Sequence, residues 1–342
     1  MTAKKKPKLA LIGTDSLRGK EIKNVLDRKR LGVFDLEFFD PEVKEEFAKL
    51  TEFKKQPKVI HGTAGDALAG MDLVFLAADK ETNRALALRA EELGFRAIDL
   101  SETFNDREDI PLVVAGVNDD GLNLGTGRIV ANPHALTIIL SHLFHLIISE
   151  IGLAKAVVFV LQPASAFDDA GIQELAGQSV ALLNGSPPKK KVFKEQVAFN
   201  ILSHTELPDA GGFCPSERQI AAEIRRVLSL PSLPLFVSII QAPIFHTYSV
   251  MAYVETEKET DMAALENLFC GDASFKLTAF REGCSATSLT VSGKDEIFIG
   301  QIKKEESSPR SFGVWLVADN LVLGSALNAF DLAKRMLRAG AP

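Results

Sequence analysis

The sequence contains few residues of the kind that form cross-links. Among its 342 residues are three cysteines, Cys214, Cys270 and Cys284, and none of them forms a Cys-x-x-Cys pair. An odd number of scattered cysteines favours neither a disulfide framework nor a zinc site. The single Trp and the two Tyr argue against an aromatic surface for stacking sugars or bases, whereas the 22 Phe indicate core packing. We therefore expect no metal site.

Long apolar runs and an excess of positive charge are also absent. Behind the basic residues 4–8, the apolar run covers only residues 9–12, and no segment reaches the roughly 18 apolar residues of a membrane span. The net charge of -6 gives no electrostatic footprint for nucleic acid. These absences favour a cytoplasmic protein with neither a membrane nor a nucleic-acid partner.

The composition and the order of elements predict an α/β protein with two domains. Hydrophobic residues make up 46% and charged residues 25%, as in globular proteins, and 342 residues are too many for one ordinary core. In the first part of the chain, strands alternate with helices, which predicts a doubly wound parallel sheet. The predicted strands are 8–13, 35–40, 57–61, 72–77 and 96–100, and the predicted helices are 16–30 and 81–93.

The pattern changes after residue 133, where successive strands with fewer helices predict a mixed or antiparallel sheet. The strand at 156–161 is followed by a predicted loop with Gly185, two prolines and a run of three lysines, 189–191, which we expect to be solvated. The other predicted elements are strands near 235–242, 249–256 and 286–302, and helices near 135–151, 216–228, 261–268 and 320–338.

The turn after the first strand resembles a dinucleotide-binding loop. It comprises Gly13, Thr14, Asp15, Ser16, Leu17, Arg18 and Gly19. A strand, a glycine turn and a helix N-terminus would place a pyrophosphate on backbone N–H groups. However, the middle glycine of the Gly-x-x-Gly-x-x-Gly pattern is replaced by a serine, which adds bulk, and the aspartate adds negative charge. The loop therefore predicts the fold and leaves open whether NAD or NADP binds or has been lost.

Asp40 lies at the end of the second predicted strand, about twenty residues beyond the loop. An acidic side chain there could bind a ribose hydroxyl and would favour NAD over NADP. The alternative is that Asp40 simply opens the turn that it forms with Pro41.

Residues 131–138, Ala-Asn-Pro-His-Ala-Leu-Thr-Ile, resemble the nucleophile segment Asn-Pro-x-Cys-x-Thr of the aspartate-semialdehyde dehydrogenase (semialdehyde dehydrogenase) family. The resemblance implies an N-terminal Rossmann domain rejoined by the last helix, and a central α+β catalytic and dimerisation domain. We expect boundaries at 1–133 with 326–342, and at 134–325. Further ordered matches are 111–118, 198–204, 295–300, 317–321 and 326–329.

The resemblance also implies a reaction of amino-acid biosynthesis. Most of the residues that the family uses for this reaction are replaced in this sequence. A thiolate attacks the aldehyde, hydride passes to NADP, and phosphate releases the acyl group. In this sequence Ala135 replaces the thiol, Tyr248 the catalytic histidine, Gln241 the carboxylate-binding arginine and Asn105 a phosphate-binding arginine. Residues 77–80, Ala-Ala-Asp-Lys, replace a glycine-rich turn beside the cofactor. A methyl group cannot carry an acyl group, and a tyrosine titrates too high to be a good base at neutral pH.

Other positions of the family pattern remain. By resemblance, Gln162 positions the reacting carbonyl, Glu223 and Arg226 face the substrate amine and phosphate, and Asn320 meets the nicotinamide. Each also has a structural interpretation. Glu223 and Arg226 are three residues apart and could form only a surface ion pair, and Gln162 could simply satisfy the end of a buried strand.

Few residues could take the place of the missing catalytic groups. Cys214 precedes a helix start, where a thiol pKa could fall. Tyr248 could act as a phenolic acid. Cys270 and Cys284 are expected to be packed thiols, and the histidines His134, His142 and His145 to be structural.

The leading hypothesis is a non-catalytic dimeric homologue that acts as a binding, regulatory or scaffolding partner. One version pairs it with an active relative, and a small-molecule ligand stays open. The rival hypothesis is an NAD(P)-linked oxidoreductase with altered chemistry, in which Gln162, Tyr248 and Asn320 surround a different carbonyl substrate.

Overall fold

The computed structural model describes residues 6–45, 48–122, 127–278 and 286–339, and it divides into two compact units. Unit 1 comprises Met1–His134 with Ser325–Pro342, and unit 2 comprises Ala135–Gly324. Each unit contains one sheet with helices packed against it. In the described parts of the chain, no helix combines the length and the apolar character needed to cross a bilayer.

The sheet of unit 1 has seven strands in the order β3-β4-β2-β1-β5-β6-β7. All neighbours pair in parallel except β3 and β4, which are antiparallel. Its strands are β1 (Lys8–Ile12), β2 (Asp35–Phe39), β3 (Leu50–Phe53), β4 (Gln56–His61), β5 (Leu73–Leu76), β6 (Arg96–Asp99) and β7 (Ile129–Ala131). The central β5 is buried at every position, as expected for a parallel strand covered on both faces.

The helices of unit 1 complete the doubly wound arrangement. They are α1 (Leu17–Arg28), α2 (Lys80–Ala87), α3 (Ala90–Leu93) and, from the end of the chain, α9 (Asn328–Ala339). Residues of α9 such as Phe330, Leu332 and Met336 belong to the same core cluster as Leu9 and Phe75. The Rossmann-type fold that the sequence predicted is therefore confirmed.

Two local predictions for unit 1 were wrong. The helix expected over 81–93 is two helices, because the amide of Arg89 donates to the carbonyl of Leu86 only three residues back and tightens the turn. The hairpin of β3 and β4 was not predicted, since Lys54 and Lys55 form its turn with φ of 53° and 59°. Two-residue hairpin turns of that conformation usually contain Asn-Gly or Asp-Gly, so a Lys-Lys pair does not indicate one.

The sheet of unit 2 is mixed, as predicted, with six strands in the order β11-β12-β13-β10-β8-β9. The strands are β8 (Lys155–Gln162), β9 (Leu235–Gln241), β10 (Tyr248–Glu255), β11 (Phe275–Leu277), β12 (Ile297–Lys303) and β13 (Ser311–Ala318). Five helices complete the unit: α4 (Ala135–Glu150), α5 (Asp168–Leu183), α6 (Pro215–Val227), α7 (Met262–Gly271) and α8 (Ser288–Val291).

Several elements of unit 2 differ from the predictions. The strand expected over 286–302 starts only at Ile297, since Thr287 caps α8 and Gly293 turns the chain with φ 77°. The long helix α5 was not predicted, because Gly171 and Gly177 lower its helix propensity. The final helix was expected from about residue 320, but a π-helical turn over Val322–Leu327 delays α9.

Candidate functional site

The turn after β1 is closed by its own side chains. Gly13 has φ 77°, and a Cβ on Gly19 would come within 2.0 Å of the Gly13 carbonyl oxygen, so both glycines are needed for packing. Ser16 caps α1: its Oγ accepts from the amide of Gly19 at 2.9 Å. The same hydroxyl lies 2.7 Å from the carbonyl oxygen of Ala77 and 2.9 Å from that of Gly13. An amide at the helix N-terminus is therefore already occupied.

The other residues of the turn differ in burial. Thr14 is fully buried, and its hydroxyl has no hydrogen-bond partner in the parts of the chain that the structure describes. Asp15 is exposed, and Leu17 and Arg18 are half-buried in the first turn of α1. The turn thus has the conformation of a phosphate loop with one hydroxyl unsatisfied and another used internally.

Lys49 was not predicted as a functional residue, and it joins the turn to the end of β2. Its Nζ lies 2.7 Å from Oδ2 of Asp15 and 2.7 Å from Oδ2 of Asp40. The hydrogen bonds that Lys49 donates to the carboxylates of Asp15 and Asp40 raise its pKa above the usual value. No sequence signal indicated this contact, because Lys49 immediately precedes the unpredicted strand β3.

Asp40 opens a turn, which is the alternative that the sequence left open. Its Oδ1 accepts from the amide of Glu42 at 3.0 Å, and its carbonyl accepts from the amide of Val43 at 3.2 Å. Asp40 is 7% exposed, and both oxygens of its carboxylate accept hydrogen bonds. A ribose hydroxyl would therefore have to share or replace these partners.

Asp79 and Lys80 begin α2 beside the same turn. Asp79 caps the helix by accepting from the amides of Glu81 and Thr82, both at 3.0 Å. A Cβ on Gly13 would approach the amide nitrogen of Ala78 to 2.5 Å, which shows how closely the two turns pack. In their observed positions, the chain's own groups therefore occupy several of the amide and carboxylate contacts that a ribose and a pyrophosphate would use in this crevice.

Asn105 lies after β6 at the end of a tightly bonded loop. Asp99 accepts from the amides of Ser101 and Thr103 at 3.0 and 2.7 Å. Burial raises the pKa of Asp99, and these hydrogen bonds oppose the rise. Asn105 is itself buried, at 5% exposure, so this position holds a neutral buried amide.

In unit 2, Ala135 begins α4 and lies against Gly324. An ideal Cβ on Gly324 would be 2.7 Å from the Ala135 Cβ, so the absence of a side chain at Gly324 gives the methyl group its space. The position that the family pattern assigns to a thiol is therefore a packing contact in this chain.

Tyr248 is part of the core, at 1% exposure. The preceding Thr247 has φ 73°, which is strained for a β-branched residue, and its amide donates to Oδ1 of Asn320 at 3.0 Å. The amide of Asn320 in turn donates to Oγ of Ser165 at 3.1 Å. Asn320 thus holds the turn before Tyr248.

Gln162 and Gln241 are brought together at the ends of β8 and β9, where they are paired in register. Nε2 of Gln162 donates to Oε1 of Gln241 at 3.2 Å. Nε2 of Gln241 donates to the carbonyl oxygens of Gln162 and Ala242 at 3.1 and 3.0 Å. These two buried, neutral side chains therefore contact each other. They stand at the positions that the resemblance assigns to the carbonyl-positioning glutamine and the carboxylate-binding arginine.

Glu223 is not on the surface. At 4% exposure, its carboxylate accepts from Oγ1 of Thr137 at 2.7 Å and from Nε2 of Gln219 at 2.8 Å. Arg226, one turn further along α6, is half-buried. The carboxylate therefore joins α6 to α4, the helix that begins at Ala135.

The suggestion that Cys214 is an activated nucleophile was wrong. It caps α6, but burial and the nearby carboxylates of Glu217 and Glu206 raise the pKa of its thiol. Oε2 of Glu217 accepts from the Cys214 amide at 2.7 Å, so negative charge lies where activation would need a positive one.

The remaining candidates are peripheral. Cys270 is exposed rather than packed, because Leu265 and Phe269 form the buried face of α7. Cys284 lies outside the described residues. The run Lys189–Lys191 is exposed as predicted. No group of three or more His, Cys, Asp or Glu among the described residues is arranged to hold a metal ion.

Comparisons with known proteins match both units. Residues 8–124 match the model of the semialdehyde dehydrogenase NAD binding domain, and residues 145–323 match that of the semialdehyde dehydrogenase dimerisation domain. The chain is 26% identical to aspartate-semialdehyde dehydrogenase 2 of Vibrio cholerae over 96% of this chain and 97% of that protein. It is 29% identical to the "USG-1 protein homolog" of Pseudomonas aeruginosa over 79% of this chain and 80% of that protein. The crystal structure of aspartate semialdehyde dehydrogenase II from Vibrio cholerae, complexed with ASA, is similar with a TM-score of 0.92 and 25% identity, covering 99% of this chain and all of that one.

Proposed function

Since the chain belongs to the semialdehyde dehydrogenase family, we propose that it is a non-catalytic member, a dimer that acts by binding and not by the phosphorylating dehydrogenase reaction. One observation carries the proposal: Ala135 takes the place of the thiol and packs against Gly324. Where an enzyme uses linked groups, losing one removes a factor on the order of 10⁴ to 10⁶ in rate.

The surrounding positions support the same conclusion. Tyr248 is buried where a titrating base would have to reach substrate, and Gln241 is bonded to Gln162 where a cation would bind a carboxylate. Cys214 is a poor substitute nucleophile, because burial and the carboxylate of Glu217, which accepts from the Cys214 amide at 2.7 Å, raise the pKa of its thiol.

The test is a rate comparison. The purified chain and the Vibrio cholerae aspartate-semialdehyde dehydrogenase 2 are given aspartate semialdehyde, phosphate and NADP, and reduced nicotinamide is followed by absorbance. We expect this chain to be slower by a factor on the order of 10⁴ or more, with no acyl adduct in its intact mass spectrum. A rate close to that of the relative, or an acylated side chain, would refute the proposal.

The rival oxidoreductase would use Gln162, Tyr248 and Asn320 around another carbonyl. The observed contacts weigh against it, since all three residues are buried and Asn320 is bonded to Ser165 and Thr247. Reduction of a carbonyl panel with NADH or NADPH that is lost in Tyr248→Phe would favour the rival.

We infer the dimer from the outer face of the unit 2 sheet. Phe159 on β8, Phe236 on β9 and Tyr253 on β10 are each more than 40% exposed, and the rings of Phe159 and Phe236 are 6.2 Å apart. Apolar side chains concentrated on one face usually mark a protein interface. A second copy of the chain, or an active relative, would cover this face.

Light scattering after size exclusion tests the interface. We expect the chain to be a dimer and Phe159→Glu to be monomeric. Leu88→Glu, at an 80% exposed apolar position of unit 1, is the matched control and should stay dimeric. A wild-type monomer, or a Phe159→Glu dimer, would contradict the inferred interface. Co-expression with an active relative then shows whether mixed dimers form.

A further inference from the structure

An ion bridge lies beyond the carboxyl ends of β1 and β2 in the sheet of unit 1. A Rossmann fold places the adenosine ribose at this position. Parallel strands present their carboxyl ends at one edge, with the glycine turn after the first and an acidic residue after the second. In this chain Lys49 lies between those two points, 2.7 Å from Asp15 and 2.7 Å from Asp40.

The bridge uses the groups that a ribose would need. Asp40 already accepts from the amide of Glu42 through Oδ1 and from Lys49 through Oδ2. An ammonium group has three donors, and two of those on Lys49 are committed to carboxylates. A sugar hydroxyl that reached Asp40 would compete with the ammonium group for Oδ2 or share Oδ1 with the Glu42 amide.

Amides on the pyrophosphate side of the crevice also have hydrogen-bond partners within the chain. The Ser16 hydroxyl takes the amide of Gly19 in the first turn of α1, and Asp79 takes two amides at the start of α2. Helix N-terminal amides are the donors that hold phosphate groups.

We propose that Lys49 and Ser16 act as internal substitutes for the ribose and pyrophosphate of NAD(P), so that the crevice of unit 1 excludes the dinucleotide that its family binds. The proposal concerns unit 1 alone and does not depend on the loss of the thiol in unit 2. It assigns a role to Lys49 in keeping Asp15 and Asp40 together in the absence of a ligand.

Isothermal titration of the whole chain with NADH and with NADPH tests the proposal. For the wild type we expect no saturable binding up to millimolar concentrations. Lys49→Ala frees Asp40 for a ribose hydroxyl, and Ser16→Gly frees the Gly19 amide. The double variant should therefore gain at least tenfold in NADH affinity, with NADH preferred to NADPH because the freed carboxylate repels a 2′-phosphate. Glycine is well tolerated as a helix cap, so folding should be retained, which circular dichroism checks.

Lys58→Ala removes an exposed lysine from β4 and serves as the matched control, which should behave as the wild type does. Micromolar binding of either nucleotide by the wild type, weaker binding in Lys49→Ala, or no gain in the folded double variant would each overturn the proposal. A wild type that binds NADH tightly but shows no dehydrogenase activity would overturn this inference alone and leave the proposed function in place.

Discussion

The crevice of unit 1 and the catalytic-type positions of unit 2 have both departed from their family pattern, but by different physical means. In unit 1 the turn keeps its first and last glycines, and two charged side chains that are 33% and 53% exposed, Lys49 and Asp15, bridge the crevice. In unit 2 neutral side chains that are 1% exposed, Tyr248 and Gln241, fill the positions of a base and a cation.

This difference decides how easily each change can be reversed. The partly exposed pair of Lys49 and Asp15 contributes only about 0–1 kcal/mol, and the buried Asp40 keeps its bond from the Glu42 amide when Lys49 is replaced. We therefore expect one substitution to open the bridge without unfolding unit 1. The buried groups of unit 2 belong to a packed core, where replacement leaves cavities or unsatisfied polar atoms. We therefore expect binding in unit 1 to be recoverable and catalysis in unit 2 not to be.

The largest effect is expected at Tyr248. Tyr248→Ala removes a fully buried ring and should destabilise the chain by about 3–5 kcal/mol. Urea unfolding followed by circular dichroism measures this change. Phe245→Ala, at a 44% exposed position of the same turn, is the control and should cost less than about 1 kcal/mol. Equal effects of the two substitutions would contradict the view that Tyr248 is a core residue.

An intermediate effect is expected at Gly19, which tests whether the glycines of unit 1 are retained for packing. Gly19→Ala would bring a Cβ within 2.0 Å of the Gly13 carbonyl oxygen and should cost about 1–3 kcal/mol without any nucleotide present. Gly177→Ala, which meets open space in α5, should be neutral or stabilise by up to about 1 kcal/mol. Chemical denaturation of both variants gives the comparison, and an unaffected Gly19→Ala would show that the turn is not closely packed.

The smallest effect is expected at Asp79. Hydrogen bonds from the backbone and the side chain of Thr82 lower the pKa of Asp79. A carboxyl group with a lowered native pKa stabilises the fold above its unfolded pKa of about 4, and this stabilisation is lost as the pH falls through the native value. Asp79→Ala should therefore cost about 1 kcal/mol at pH 7 and almost nothing near pH 2.

The control for this prediction is Asp79→Asn, because asparagine also caps helices but does not titrate. Thermal unfolding should show that Asp79→Asn loses less stability than Asp79→Ala. The difference between these two variants should be the same at pH 7 and near pH 2, since neither titrates at position 79. A pH-independent cost for Asp79→Ala would mean that the charge of the cap contributes nothing.

Sequence patterns located most elements of unit 1 because its strands are short buried runs separated by glycine and helix-capping residues, as in Leu9–Ile12 followed by Gly13 and Ser16. The patterns failed where the local sequence is compatible with more than one structure. β13 is a continuous apolar run, which periodicity cannot distinguish from a buried helix, and Lys54 and Lys55 form a turn that usually contains glycine.

The sequence likewise showed some features of the candidate site and not others. That position 135 is an alanine and position 16 a serine can be read directly from the sequence. The partners of Asp40 and Gln241 were not visible, because Lys49 and Gln162 meet them only through strand pairing and loop packing.

The sequence by itself therefore determined the fold and the absence of a sulfur atom at position 135, since covalent composition does not depend on folding. Only the tertiary structure decided that Tyr248 is buried, that the thiol pKa of Cys214 is raised and that Lys49 bridges two carboxylates. Burial, charge proximity and hydrogen bonding between residues far apart in the chain are set by packing, and local patterns carry no record of them.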